Sequence, residues 1–285
     1  MKNNTFLWAP PYHNLYIYYI QGQVKQESEK QLFKDHYIGN WIEEDTSFLF
    51  FTCPSENKIQ ALLKIQPELN VNDTFQMTYE EWCGGQFEII SMADYIIAPP
   101  WMPHLSSIEK NIIWLDPGVV FGAGTHPTTY DCLQAIQRAF DICSIETMMD
   151  MGTGTGLLSL FAARMGAKKI LALDLNLLAV KTALMNSTFN HLNQNILTVQ
   201  GDARTFMGPT VDLWVANIHY DILKSLIETS EFLQHKLFIL SGLLPSEAKK
   251  VRDLLDKRPV EIIEVWDSNW FTCLGKPLRR FPGMF

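Results

Sequence analysis

The apolar positions of the first third of the chain fall in short blocks of changing period. Leu15–Ile20 is aromatic and β-branched, as strands prefer; Gln23–His36 is polar and helix-permissive; Thr46–Thr52 is again strand-like. Glu56–Ile65 places Ile59, Leu62, Leu63 and Ile65 near helical spacing, and Phe87–Ile90 begins another strand. This pattern predicts a small α+β domain over residues 1–97. Pro99, Pro100 and Pro103 around Trp101 and Met102 then fix φ and remove donors, so residues 98–112 read as a linker.

Residues 113–285 follow a steadier rhythm. A helix is expected from about Thr128 to Phe140, with Leu133, Ile136, Ala139 and Phe140 on one face; Thr125 with Pro127 two residues on marks its start. Strands are expected at 147–151, 169–175, 196–200, 211–217 and 237–241, and helices at 157–165, 177–190, 220–233 and 246–256. Such βα alternation predicts an α/β fold, a doubly wound, mostly parallel sheet with helices on both faces. The last two strands, 260–266 and 270–274, are separated only by Asp267–Asn269. They are expected to form an antiparallel hairpin at one edge.

The chemistry collects at the carboxyl ends of these strands, where open α/β sheets bind ligands. Gly152-Thr153-Gly154-Thr155-Gly156 links the first strand to its helix, and Asp174 closes the second strand 22 residues after Gly152. Glycines let the backbone approach a ligand, and an acid at this distance accepts hydrogen bonds from both hydroxyls of a ribose. The pair argues for an adenosine-containing cofactor. A dinucleotide loop needs a third glycine where this chain has Leu157, so the loop suits a nucleoside without phosphates, with an NAD-type site and a plain tight turn as alternatives. Asp202, before Ala203, ends the third strand at the level of an adenine amino group or is a simple loop acid. Asn217, ending the fourth strand, serves either as a neutral acceptor for an amine substrate or as a helix N-cap.

A second loop, Leu115–Thr129, precedes the sheet. Its glycines beside a helix start are what a lid requires. His126 within it is either a general base or a hydrogen-bonded structural residue.

With 285 residues, about two domains of roughly 150 residues are expected. A composition of 47% hydrophobic and 19% charged residues excludes a disordered chain. Five well-spaced cysteines without a C-x-x-C pair or zinc spacing argue for no metal and a reducing, cytoplasmic setting. Met1–Ile20 lacks an uninterrupted apolar core, and no run reaches the roughly 18 residues of a membrane span. Net charge is −8, and residues 1–100 hold 6 basic against 13 acidic residues, which places nearly all of it at the N-terminal side. That field repels phosphate backbones and favours a basic partner, unless it serves only solubility.

Leu115–Thr129, Asp150–Gly156, Leu173-Asp174 and Ala216-Asn217-Ile218 together resemble the ribosomal protein L11 methyltransferases (PrmA type), over about residues 95–275. The family loop reads F-G-T-G-T-H-P-T-T, and its fourth strand ends A-N-I. The resemblance implies a Rossmann-like class I methyltransferase with a seven-stranded sheet, preceded by a small domain that docks the protein substrate. It implies S-adenosylmethionine as cofactor and a basic protein of the ribosomal large subunit as partner; from the acidic N-terminal side and the lack of a long apolar run, neither nucleic acid nor membrane is expected to be engaged directly. The candidate cofactor-binding residues are Phe121, Thr125, Thr128, Thr129, Gly152, Thr153, Gly154, Gly156, Asp174, Leu175, Asp202, Ala203 and Asn217, with Asn217 also catalytic. Ala123 replaces the family's usual Thr, and the first 90 residues match only in rhythm, so the acceptor is less constrained than the chemistry. A methyltransferase for another protein, a nucleic acid or a small molecule is the alternative, and an NAD-dependent oxidoreductase a further one.

Methyl transfer from a sulfonium is an in-line displacement, so positioning and a neutral amine suffice. A lysine of pKa about 10.4 requires roughly 4–5 kcal/mol to be neutral at pH 7, and burial lowers that cost. A neutral amide such as Asn217 orients the amine without stabilising its charged form. Tyr220, in Asn-Ile-His-Tyr, either packs on the acceptor or is an ordinary helix-face aromatic.

Overall fold

The computed structural model describes residues 9–85, 89–102, 104–105, 111–206, 208–267 and 269–278. The N-terminal part runs β1 (Asn14–Gln21), α1 (Gln26–Leu32), β2 (Tyr37–Glu43), β3 (Thr46–Phe51), α2 (Glu56–Ile65) and β4 (Asn70–Thr78). Its antiparallel sheet has the order β2-β3-β1-β4. Period-two alternation sends Tyr18, Ile20, Leu49 and Phe51 toward Ile59 and Leu62 of α2. The opposite face sends Leu15, Ile17 and Phe50 toward Tyr79, Val119 and Leu178, so this sheet packs on the C-terminal half.

Several expectations here need correction. Helix α1 covers Gln26–Leu32 rather than 23–36, because Val24 N donates to Ser47 Oγ and Lys25 N to Gln66 Oε1, and because His36 takes φ +64°. Strands β2 and β4 were not anticipated. Gly39 and Asn40 interrupt the apolar pattern of β2, and β4 is almost wholly exposed, so backbone pairing at the sheet's two edges makes them strands. The strand expected from Phe87 falls partly outside the described residues; its described part is β5 (Ile90–Met92). After the short helix α3 (Tyr79–Trp82), β5 pairs with β6 (Tyr95–Ala98), which pairs in parallel with β7 (Ile112–Trp114).

The second part comprises α4 (Pro127–Ile142), β8 (Thr147–Met151), α5 (Leu157–Met165), β9 (Lys169–Asp174), α6 (Leu177–Phe189) and β10 (Ile196–Gln200). It continues with β11 (Leu213–Asn217), α7 (Tyr220–Ile227), β12 (Leu237–Leu243), α8 (Pro245–Leu255), β13 (Val260–Asp267) and β14 (Phe271–Pro277). The seven strands lie in the order β10-β9-β8-β11-β12-β14-β13, parallel except for β14. The expected doubly wound sheet with an antiparallel edge hairpin is thus present. Leu133, Ile136, Leu160 and Phe161 of α4 and α5 fill one face, and Leu223, Ile227, Val251 and Leu255 of α7 and α8 the other. Helix α7 stops at Ile227 rather than 233: Thr229 Oγ1 bonds Leu226 O and accepts from Phe232 N, turning the chain into a 3-10 segment at Glu231–Gln234. Strand order reverses between β8 and β11, and the crevice at that switch point is where such sheets bind ligands. No described helix is long and apolar enough to cross a membrane.

Candidate functional site

The glycine loop between β8 and α5 has three left-handed residues: Gly152 at φ +77°, Gly154 at +53° and Gly156 at +83°. Side chains are excluded as firmly by space as by conformation. A Cβ on Gly152 would lie 2.2 Å from Ile218 Cγ2, and one on Gly154 2.3 Å from the Phe121 carbonyl oxygen. The amides of Gly152 and Thr153 both donate to Leu173 O, which fastens the loop to the end of β9. Thr155 ties the upstream loop down over it, since its amide donates to Phe121 O and its hydroxyl to Gly122 O at 2.6 Å. Asn186 of α6 adds a brace, donating to both Thr155 O and Asp116 O at 2.9 Å. Sequence reasoning missed Thr155 and Asn186. Thr155 lay in view inside the motif, whereas Asn186 carries no local signal.

Asp174 sits at the end of β9, 8% exposed. One carboxylate oxygen accepts the Gly154 amide at 3.0 Å and the other the Asn176 amide at 2.9 Å. Burial raises its pKa, and these amide donors, with that of Leu175, oppose the rise. Asp150, two residues before Gly152, is fully buried; its Oδ2 accepts from Thr153 Oγ1 and Ser159 Oγ at 2.7 Å each, while its Oδ1 has no partner. Burial, together with the field of Asp174, pushes its pKa up to about 6 against the opposing hydroxyl bonds. No Lys or Arg pairs with either acid among the described residues.

This donor set fits S-adenosylmethionine. Two buried carboxylates without a countercharge suit a cation, Asp174 suits a ribose, and the loop offers close backbone approach without a basic group for phosphate. Around it, the side chains of Phe121 and Leu175 are half exposed at 50% and 54%, leaving apolar surface at the crevice edge. Asp202 follows β10 as expected, but its carboxylate is engaged by Arg204 at 2.6 Å, which holds its pKa below the usual range. Ala203 beside it is half buried.

The upstream loop leads into α4. The N-cap is His126 rather than Thr125: His126 Nδ1 accepts from the Thr128 amide at 3.3 Å and lies 2.8 Å from Thr128 Oγ1, with Pro127 in the first turn. Nδ1 is therefore the acceptor, the neutral ring carries its proton on Nε2, and burial lowers its pKa. The ring packs edge-on between Phe121 and Trp270, at centroid distances of 5.1 and 4.9 Å. Thr125 is exposed, Thr128 and Thr129 are buried, and Thr129 Oγ1 has no partner.

Asn217 ends β11 and does not cap α7, whose N-cap is His219. Its Nδ2 instead donates to Thr128 Oγ1 at 3.4 Å, and no described group donates to its Oδ1. The run Asn217–Thr128–His126 thus joins the fourth strand to the upstream loop and leaves an amide oxygen free to accept. Tyr220 lies under Lys250, whose Nζ is 5.0 Å from the ring centroid, so this aromatic packs on α8.

Residues 18–277 match the model of the family described as ribosomal protein L11 methyltransferase (PrmA). The chain is 32% identical to the ribosomal protein L11 methyltransferase of Halalkalibacterium halodurans over 84% of its length and 76% of the relative's. It is 34% identical to the same protein of Exiguobacterium sibiricum, over 90% and 84%. Among solved structures, the ribosomal protein L11 methylase of Lactobacillus delbrueckii subsp. bulgaricus is similar, with a TM-score of 0.59 and 27% identity over 68% of this chain and 100% of that one.

Proposed function

This chain belongs to the ribosomal protein L11 methyltransferase (PrmA) family, and on that premise we propose that it moves methyl groups from S-adenosylmethionine to lysine side-chain or N-terminal amines of a ribosomal large-subunit protein. The observation that carries the reading is Asp174, buried, aimed at the glycine loop and paired with no Lys or Arg among the described residues. In the proposed complex Asp174 accepts the ribose hydroxyls, while Gly152, Thr153, Gly154 and Gly156 give the backbone approach. Leu175 and Phe121 would offer the cofactor apolar surface at the crevice edge, and Asp202 with Ala203 would border it beyond the end of β10. Thr125, Thr128 and Thr129 line the opposite wall.

When bound, the cofactor supplies an electrophilic methyl group on a sulfonium. Asp150 and Asp174 place negative charge in a buried crevice and so favour a cation there. Asn217 Oδ1 orients the attacking amine through its N–H, and being uncharged it does not stabilise the ammonium form as a carboxylate would. His126, neutral and flanked by Phe121 and Trp270, gives the amine's approach an aromatic wall that excludes water. The acidic N-terminal sheet favours a basic protein and disfavours direct contact with nucleic acid.

Incubation with a methyl-labelled donor and either purified ribosomal protein L11 or total ribosomal protein, followed by mass spectrometry, tests this reading. Label on lysine or N-terminal nitrogen of a ribosomal protein is expected. Label confined to RNA overturns it.

A further inference from the structure

Asn176 occupies the N-cap position of α6, where an Asn side chain ordinarily accepts an amide from its own first turn, yet its side chain makes no such bond. It reaches instead across 134 residues of sequence to the edge strand β2: Asn176 Oδ1 accepts the Ile42 amide at 2.8 Å, and Asn176 Nδ2 donates to Ile42 O at 3.1 Å. The contact is 9% exposed at Asn176. It is flanked by Leu178, which packs so closely over Gly39 that a Cβ there would lie 2.7 Å from Leu178 Cδ1. On its main chain the same residue donates its amide to Asp174. One residue further along β2, Glu43 Oε1 lies 3.9 Å from His219 Nε2, beside the strand end that presents Asn217.

We infer that Asn176 is a positioning residue that clamps the N-terminal sheet to the transfer site, fixing where a protein docked on that sheet presents its amine. The inference rests on the reading that the N-terminal sheet receives the protein substrate. The bidentate pairing reproduces the two bonds of a β-ladder step, so it sets both the distance and the rotation of β2 relative to Asp174. A helix end that gives up its cap for this contact spends its polar side chain on orientation between the two halves.

The test compares the full-length wild type with Asn176→Ala and Ile42→Pro. The second removes the donor from the opposite side, at an outward-facing position of an edge strand, without changing α6. Asn176→Ala removes both bonds to Ile42 and is expected to speed exchange of the Ile42 amide and to raise the KM for ribosomal protein L11 by about tenfold or more. The dissociation constant for S-adenosylmethionine should stay within about threefold. Ile42→Pro should raise the same KM, and the double variant should add little to either. A KM within about twofold of wild type in both variants overturns the clamp, as does a KM rise matched by an equal loss of cofactor affinity. Should Asn176→Ala not fold, Ile42→Pro decides alone. Absence of transfer by the wild type is a separate result: it refutes the substrate reading, and Ile42 exchange still decides whether the clamp exists.

Discussion

The Asp174 carboxylate accepts the Gly154 amide across a 3.0 Å hydrogen bond, so the acid closing β9 and the glycine turn after β8 form one unit. Removing the acid therefore frees a loop amide and, on the proposed reading, withdraws the ribose acceptor with it. Asp174→Ala is expected to weaken S-adenosylmethionine binding by about 1–3 kcal/mol, roughly 5- to 150-fold. Calorimetry measures it, and an unchanged dissociation constant would place the ribose elsewhere.

Asn217 Nδ2 donates to Thr128 Oγ1, and in the proposed mechanism its neutral oxygen orients the attacking amine. Asn217→Ala should lower kcat by about a hundredfold through lost alignment. Asn217→Asp brings a carboxylate beside the amine, which stabilises the ammonium form and raises the amine's pKa. Its pH–rate profile should consequently move to higher pH than that of the wild type. A profile that stays in place would show that position 217 does not touch the acceptor.

Asp150 gives a pH dependence of known sign. Burial raises its pKa in the folded protein to about 6, above the ordinary value of an aspartate, so between the two the folded state holds a proton that the unfolded chain has released. Stability is then greatest below about pH 4 and declines as pH rises toward about 6, by an amount on the order of 3 kcal/mol for this group. Asp150→Asn should flatten that part of the profile in urea titrations of the cofactor-free protein. An equally steep decline in the variant would assign it to another group.

Thr155 holds the upstream loop through Gly122 O at 2.6 Å. Thr155→Val keeps the shape but removes the donor, leaving the Gly122 carbonyl without this partner. Faster amide exchange across residues 121–125 and a several-fold lower kcat are expected. Unaltered exchange would mean that the Thr155 amide bond to Phe121 alone suffices.

Much of the site was legible because its signals are local. Gly152, Gly154 and Gly156 are dictated by left-handed backbone in a strand-to-helix turn, and Asp174 by its place at the next strand's end. The upstream loop was visible as a glycine run before Pro127, and the helix start was placed near Thr125–Thr128, but the capping role of His126 was not visible. The choice between Thr125 and His126 depends on which ring or hydroxyl reaches the Thr128 amide, a matter of loop geometry.

What the sequence alone determined is the order of elements in the C-terminal half, its mostly parallel sheet, and the glycine turn and strand-end acid at the carboxyl edge, because periodicity, turn residues and strand ends are set within a few positions of one another. The tertiary structure decided which side chains close the site. Asn186 braces Thr155, Asn217 turns to Thr128 rather than capping a helix, and Asn176 takes hold of Ile42. It also decided that β2 and β4 are strands at all, since their backbone groups are satisfied by neighbours and not by a pattern of their own. Apart from the local β2–β3 pairing, these depend on hydrogen bonds between residues far apart in the chain, and only folding brings such donors and acceptors within about 3.5 Å of each other.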